Sequence, residues 1–385
     1  MVNLHILFEN VYNGVRDAHD MVQDEVGNLV NELSVIVEDI AEEKARKLTW
    51  DTIQLALFIG LAPTLHTALS RVAWVRANPN WAATGIDVSY GAIGTGFAFA
   101  KDAMEALSPL PIQNQVASYM GDIIDGSETG LSGMTDLLFN DPTALGDLIS
   151  DGKLFALDVQ RDPVDVQQGM EKNLFAALLP TVWTTGVDFS YPVVILPDGV
   201  PQDGTGCEGL KPTEYADTVD DSETSARLGT LATGDDGWLP GFVCDERTNT
   251  GYWLMGAKPS KTSKTCCVTI DNKQACDTCP GGSSVPISDL RGIGTLDGNN
   301  WGGLTKDEVV INAVNSYVAN GNKNGWAADL SMTESPEGIA DLISGDLSRA
   351  RGLVNIPVCT LQQIKDTATA DIDNTAGNPN YPCPP

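Results

Sequence analysis

The sequence predicts an α+β protein: a helical bundle to about residue 180, then a disulfide-stabilised region of short antiparallel strands and helices. Three observations predict it. The first third carries an apolar repeat of helical period, short β-rich runs begin after Pro180, and every cysteine lies in the later half. At 385 residues the chain has room for two or three packed units at roughly 150 residues each. The expected division is a helical domain over 1–180 and a cysteine-containing α+β domain over 181–385, with a long acidic loop near 197–240.

Val11, Val15, Ala18, Val22, Val26, Leu29, Leu33, Ile36 and Ile40 recur at a mean spacing of about 3.6, so they form one apolar stripe on a long helix or two nearly collinear ones. Charges fill the opposite face. Asp51 and Gln54 resemble a capping box before the apolar run Ile53 to Leu69, which Pro63 should kink or divide. A turn at Ala77 to Trp81 leads to the Gly/Ala-rich segment Ile86 to Ala100 and a helix through about Leu107. Asp141-Pro142 and Asp162-Pro163 each set a capping carboxylate before a proline, predicting helices near Pro142 to Ser150 and Val164 to Leu179.

After Pro180, β-rich runs appear at Tyr191 to Leu196, Gly241 to Cys244, Tyr252 to Met255 and Cys266 to Ile270. Two helices are expected to close the chain, Lys306 to Ala319 and Pro336 to Ala350. The Pro/Asn-rich tail would fray unless Cys383 is tied down.

Lys+Arg 23 against Asp+Glu 52 leaves a net charge of −29, which repels a phosphate backbone and anionic lipid, so no nucleic acid is expected as a partner. Cys207, Cys244, Cys266, Cys267, Cys276, Cys279, Cys359 and Cys383 all fall after residue 206. Random scatter would produce that with a probability of roughly 0.002, and an even count in a loop-rich region reads as a disulfide framework in an oxidising compartment. An extracellular protein follows. Met1 to Phe8 lacks the basic start and long apolar run of a signal peptide, so the start of the mature chain stays open, and no Asn-x-Ser/Thr sequon occurs.

The string Gly91 to Gly96, GAIGTG, has its glycines in the wrong order for a dinucleotide fingerprint, and close helix packing explains it better. In DGNNWGGLTKDE, Asp297, Asn299, Gly302 and Glu308 occupy the first, third, sixth and twelfth places of a calcium loop, with Trp301 where the fifth-place oxygen belongs. Calcium at Asp297, Asn299 and Glu308 is therefore the one cofactor candidate. A capping box, Thr305-x-x-Glu308, is the favoured alternative. Zinc on Cys266, Cys267, Cys276 and Cys279 is disfavoured against disulfides, because adjacent cysteines ligate one ion awkwardly.

His5, His19 and His66 are the sole histidines, and neither HExxH nor GxSxG is present, so histidine-based nucleophilic or metal hydrolysis lacks support. Carboxylates beside tryptophans suit sugar binding, which singles out Asp235 and Asp236 beside Trp238, and Asp297 beside Trp301, as weak catalytic candidates. The bland alternative, a solvated acidic loop with a packed indole, is favoured. The apolar segments within 53–100 could form a membrane-inserting hairpin, but each falls short of the roughly 20 clean residues that span a bilayer, and a core hairpin is the preferred reading.

ALLPTVWTTGVDFSYPVVIL, GFVCDERTNTGYWLMGA, WGGLTKDEVVINAVNSYVANG and the IPVC at Cys359 resemble, over about residues 170 to 365, a family of secreted fungal proteins. In that family a Gly/Ala-rich helical region precedes a cysteine-bearing one. The resemblance implies secretion and disulfides and carries over no catalytic residue. The expected role is a secreted, non-catalytic protein that binds through its surface at a cell wall or on another organism, with a glycan or cell-surface partner. The alternatives are an extracellular acidic hydrolase of polysaccharide using paired carboxylates, and a membrane-inserting toxin-like protein. The sequence leaves the oligomeric state open.

Overall fold

A computed structural model of the chain describes residues 2–34, 163–184, 190–197, 240–257, 265–270, 273–278, 287–325, 346–370 and 378–384. Four α-helices are described: α1 (Val2–Leu33), α2 (Pro163–Trp183), α3 (Lys306–Ala319) and α4 (Leu361–Ala370). The strands are β1 (Tyr191–Leu196), β2 (Phe242–Asp245), β3 (Thr250–Ala257), β4 (Thr265–Ile270), β5 (Lys273–Thr278), β6 (Ile287–Ser288) and β7 (Val358–Thr360). The protein is α+β, as the sequence predicts. The expected helix over Ile53 to Leu69, the Gly/Ala-rich segment Ile86 to Ala100 with the helix it leads into through about Leu107, and the helix near Pro142 to Ser150 lie outside the described residues.

The main sheet runs β2-β3-β1-β7, with β6 also paired to β3, and β4-β5 forms a separate two-stranded sheet. In β1 and β3 the residues Tyr191 to Ile195 and Gly251 to Ala257 are all buried, so these strands are covered on both faces and read as continuous apolar runs. Helix α3 packs across β1, β2, β3 and β7, while α2 touches β1 and lies along α1. Val22, Val26, Leu29 and Leu33 of the predicted stripe are buried on α1.

The expectation of antiparallel strands needs correction. β1 pairs with β7 in parallel, Val194 opposite Val358 and Leu196 opposite Thr360. More than 150 residues separate the two strands, which supplies the long crossover that parallel pairing needs. Helix α2 also runs four residues further than predicted, through Pro180 to Trp183. The proline falls in the last turn, where one missing N–H interrupts little, and the Thr184 hydroxyl donates to the Pro180 carbonyl at 2.9 Å. The described end of the last predicted helix, Leu347–Arg349, is a 3₁₀ turn capped by Asp346, whose carboxylate accepts from the Ser348 N–H at 3.0 Å.

Arg291 fixes both helix ends on the sheet side. Its Nε donates to the Glu32 carbonyl at 3.0 Å and its guanidinium reaches Asn31 O at 3.2 Å, supplying partners to the orphan carbonyls that end α1. The Trp183 indole N–H donates to the Arg291 carbonyl at 3.0 Å.

At the other edge, Asn324 treats β7 as a strand would. Its Nδ2 donates to Val358 O at 3.0 Å and its Oδ1 accepts from Val358 N at 2.7 Å. Beside it, Cys359 and Cys383 are joined by a buried disulfide with Cα atoms 5.8 Å apart, and the Tyr381 ring meets Tyr191 edge-on at 5.0 Å. The tail is thus anchored to the sheet. Because the bond closes a loop with a sequence separation of 24, replacing both cysteines by alanine should lower stability by roughly 3 kcal/mol. Urea denaturation checks this, and a loss under about 1 kcal/mol would show that packing alone holds the tail.

Candidate functional site

Among the described residues, polar side chains converge where the segment between β6 and α3 meets α2. Two 3₁₀ turns, Ile293–Thr295 and Trp301–Gly303, shape this segment, and a bridge between Asp297 and Thr305 closes it. Lys306 N donates to Leu296 O at 3.0 Å and Gly298 N to Leu304 O at 3.2 Å, so the backbone forms a tight, self-bonded loop.

Asp297 organises the exposed tip. Its carboxylate accepts from the Asn299 N–H at 2.9 Å, the Asn299 side-chain amide at 3.1 Å and the Asn300 amide at 3.3 Å. These bonds, the Asn299 backbone first, hold its carboxyl below the ordinary carboxylate range, so it stays an anionic acceptor facing solvent.

Trp301 turns inward. At 7% exposure its ring packs edge-on against Phe175 of α2 at 5.6 Å, and its indole N–H donates to Thr295 Oγ1 at 3.0 Å. The backbone at Trp301 has φ 53, a left-handed conformation uncommon for so bulky a side chain, held there by that buried packing. Gly302 follows at φ 67 and lies against α2 so closely that a Cβ there would stand 2.4 Å from Lys172 N. The glycine is what lets loop and helix meet.

Glu308 locks the base. Thr305 Oγ1 accepts from the Glu308 N–H at 3.2 Å, while Thr305 N donates to Glu308 Oε2 at 3.0 Å, completing the capping box that starts α3. The other oxygen, Oε1, pairs with Lys172 Nζ at 2.9 Å. Both oxygens of Glu308 are therefore engaged by protein groups. Asp297 and Asn299 share the exposed tip. Among the described residues no group of three or more His, Cys, Asp or Glu stands together in a way that could hold a metal ion.

Asp235, Asp236 and Trp238 lie outside the described residues, as do Cys207 and Cys279. Cys266 and Cys267 fall on β4 and Cys276 on β5, and the register sets Cys267 directly opposite Cys276. Cys244 is disulfide-bonded, and no cysteine among the described residues is free.

Two buried polar residues belong to none of the predicted motifs, Glu171 beside this loop and Asn312 on the other side of α3 against the segment 347–354. Glu171 on α2 is 7% exposed and accepts from Gln167 Nε2 at 2.7 Å. Burial, and secondarily the charge of Glu25 on α1, push its carboxyl above the ordinary range against the opposing effect of Gln167. The signal was present: Glu171 precedes Leu174, Phe175 and Leu178 by three, four and seven residues, which sets it on the apolar stripe. Asn312 on α3 is fully buried and follows Val309 by three. Its Oδ1 accepts from Val354 N at 3.0 Å and its Nδ2 donates to Leu347 O at 2.5 Å and Ala350 O at 2.7 Å.

Two fungal proteins are similar in sequence. A protein of Penicillium expansum named "Probable chitinase LysM18" is 26% identical over 320 residues, 78% of this chain and 19% of its own length. Another from the same organism, "Secreted chitinase LysM12", is 31% identical over 101 residues, 25% of this chain and 6% of its own length. The chain thus spans less than a fifth of the length of the curated relatives it matches. No family model matches the chain, and no solved structure does.

Proposed function

We propose that this chain is an extracellular, chitin-facing binding protein of fungal type that acts through its surface and not by catalysis. The observation that carries the reading is the 320-residue similarity to a probable chitinase, which covers most of this chain and a small share of the relative. A segment of that proportion fits an accessory role beside a separate catalytic part. The Cys359–Cys383 disulfide fits an oxidising compartment, as does the relative named as secreted. The apolar segments within 53–100, on which membrane insertion would rest, lie outside the described residues, and among the described residues no helix is long and apolar enough to cross a membrane.

The exposed rim of Asp297, Asn299 and Asn300 offers amide donors and an ionised acceptor of the kind that bond sugar hydroxyl and acetamide groups. Trp301 is not part of that rim, because its indole is committed to Phe175 and Thr295. Its contribution is to hold the loop.

Sedimentation of the full chain with insoluble chitin, cellulose and starch tests the proposal, with released reducing ends measured in the same samples. Retention on chitin alone, with no reducing ends, is expected. Failure to sediment with chitin overturns the binding role. The second reading, hydrolysis by paired carboxylates, is favoured by the word chitinase in both relatives' names, and reducing ends released at acidic pH would establish it in place of the first.

A further inference from the structure

The seam between α1 and α2 contains a carboxyl group that no cation neutralises among the described residues. Glu171 is 7% exposed, and its carboxyl accepts from the neutral side-chain amide of Gln167, 2.7 Å away. Lys172, next in the chain, reaches away from the seam to Glu308 of α3 at 2.9 Å, so that ion pair is self-contained. The loop closes the third side with backbone and not with charge: a Cβ on Gly302 would lie 2.9 Å from the Glu171 Cβ. From α1 the group that acts on Glu171 is Glu25, a second carboxylate. When ionised, Glu171 is a buried anion opposed by another anion; when protonated, it is a neutral group that hydrogen-bonds to an amide.

We propose that Glu171 is a pH-sensitive latch between the two helices, seating α1 firmly on α2 when protonated and loosening that seam when ionised. The folded chain binds this proton more tightly than the unfolded chain. The stability it confers is therefore full below the unfolded carboxyl value of 4.5 and is lost as pH rises through the higher folded value.

Amide hydrogen exchange on the full chain, expressed as protection factors to remove the intrinsic pH dependence of exchange, reads the latch directly. From pH 4 to pH 7, amides of Val22 to Leu33 should lose protection roughly tenfold or more, while β1 and β3 amides hold theirs. In Glu171→Gln the loss should vanish, and in Glu25→Gln it should shrink. An equal loss in the wild type and in Glu171→Gln, or no loss in the wild type, overturns the proposal. Should Glu171→Gln fail to fold, NMR titration of the Glu171 carboxyl in the wild type decides: ionisation above the ordinary carboxyl range supports the latch, and ionisation within or below it overturns the latch.

Discussion

Gly302→Ala is expected to destabilise the protein by roughly 2 to 5 kcal/mol. Two penalties combine. At φ 67 an alanine pays the left-handed strain that glycine avoids, and its Cβ would stand 2.4 Å from Lys172 N and 2.9 Å from the Glu171 carbonyl carbon. Those atoms are helix backbone and cannot step aside as a flexible side chain would. The loop must lift from α2, which takes the Trp301 ring off Phe175 and stretches the Lys172–Glu308 pair. Urea denaturation followed by tryptophan fluorescence checks this, and a loss below about 1 kcal/mol would mean that the loop does not rest on the helix as described. The neighbouring Gly303→Ala is a control, since the nearest atom to its Cβ is 3.6 Å away, leaving the cost to backbone strain alone.

Asn312→Ala should cost about 3 kcal/mol or more, although the replacement is smaller and removes no apolar contact surface. One amide satisfies three main-chain groups of the segment 347–354: the Leu347 and Ala350 carbonyls and the Val354 N–H. Deleting it strands the Val354 N–H and leaves the Leu347 and Ala350 carbonyls with only the Ala350 and Leu353 N–H groups, at 3.0 and 3.2 Å. Ser316 and Asn315 bind the same segment, through Gly352 N at 2.8 Å and Ser348 O at 2.6 Å, so the segment should loosen rather than detach. Limited proteolysis between Leu347 and Val354 together with thermal unfolding would show it. Unchanged melting would contradict the assignment of Asn312 as the organiser.

The strands and α3 were legible because their signals are local. The runs at β1 and β3 are apolar throughout, and the capping box Thr305-x-x-Glu308 marks the first turn of α3. A second box is equally readable in Thr360-x-x-Gln363. Thr360 and Gln363 exchange bonds at 3.2 and 2.9 Å at the start of α4, directly after β7. Other features depend on partners far away in the chain. β7 is three residues long and exists as a strand because β1, Asn324 and the disulfide to Cys383 surround it. β5, with its polar composition, pairs with β4 alone.

The site divides the same way. That Asp297 and Trp301 belong to one loop is evident from adjacency, but their opposite fates are not. Asp297 faces solvent because its own Asn299 and Asn300 satisfy it. Trp301 is buried because Phe175, 126 positions earlier, lies beneath it.

Calorimetric titration of the native, disulfide-closed protein with soluble N-acetylglucosamine oligomers of increasing length tests the chitin-facing reading most directly. It should give affinity that rises with oligomer length to a Kd on the order of micromolar, about −8 kcal/mol, with the oligomers recovered intact. An absence of binding heat at every length, or recovery of shortened oligomers, would contradict it.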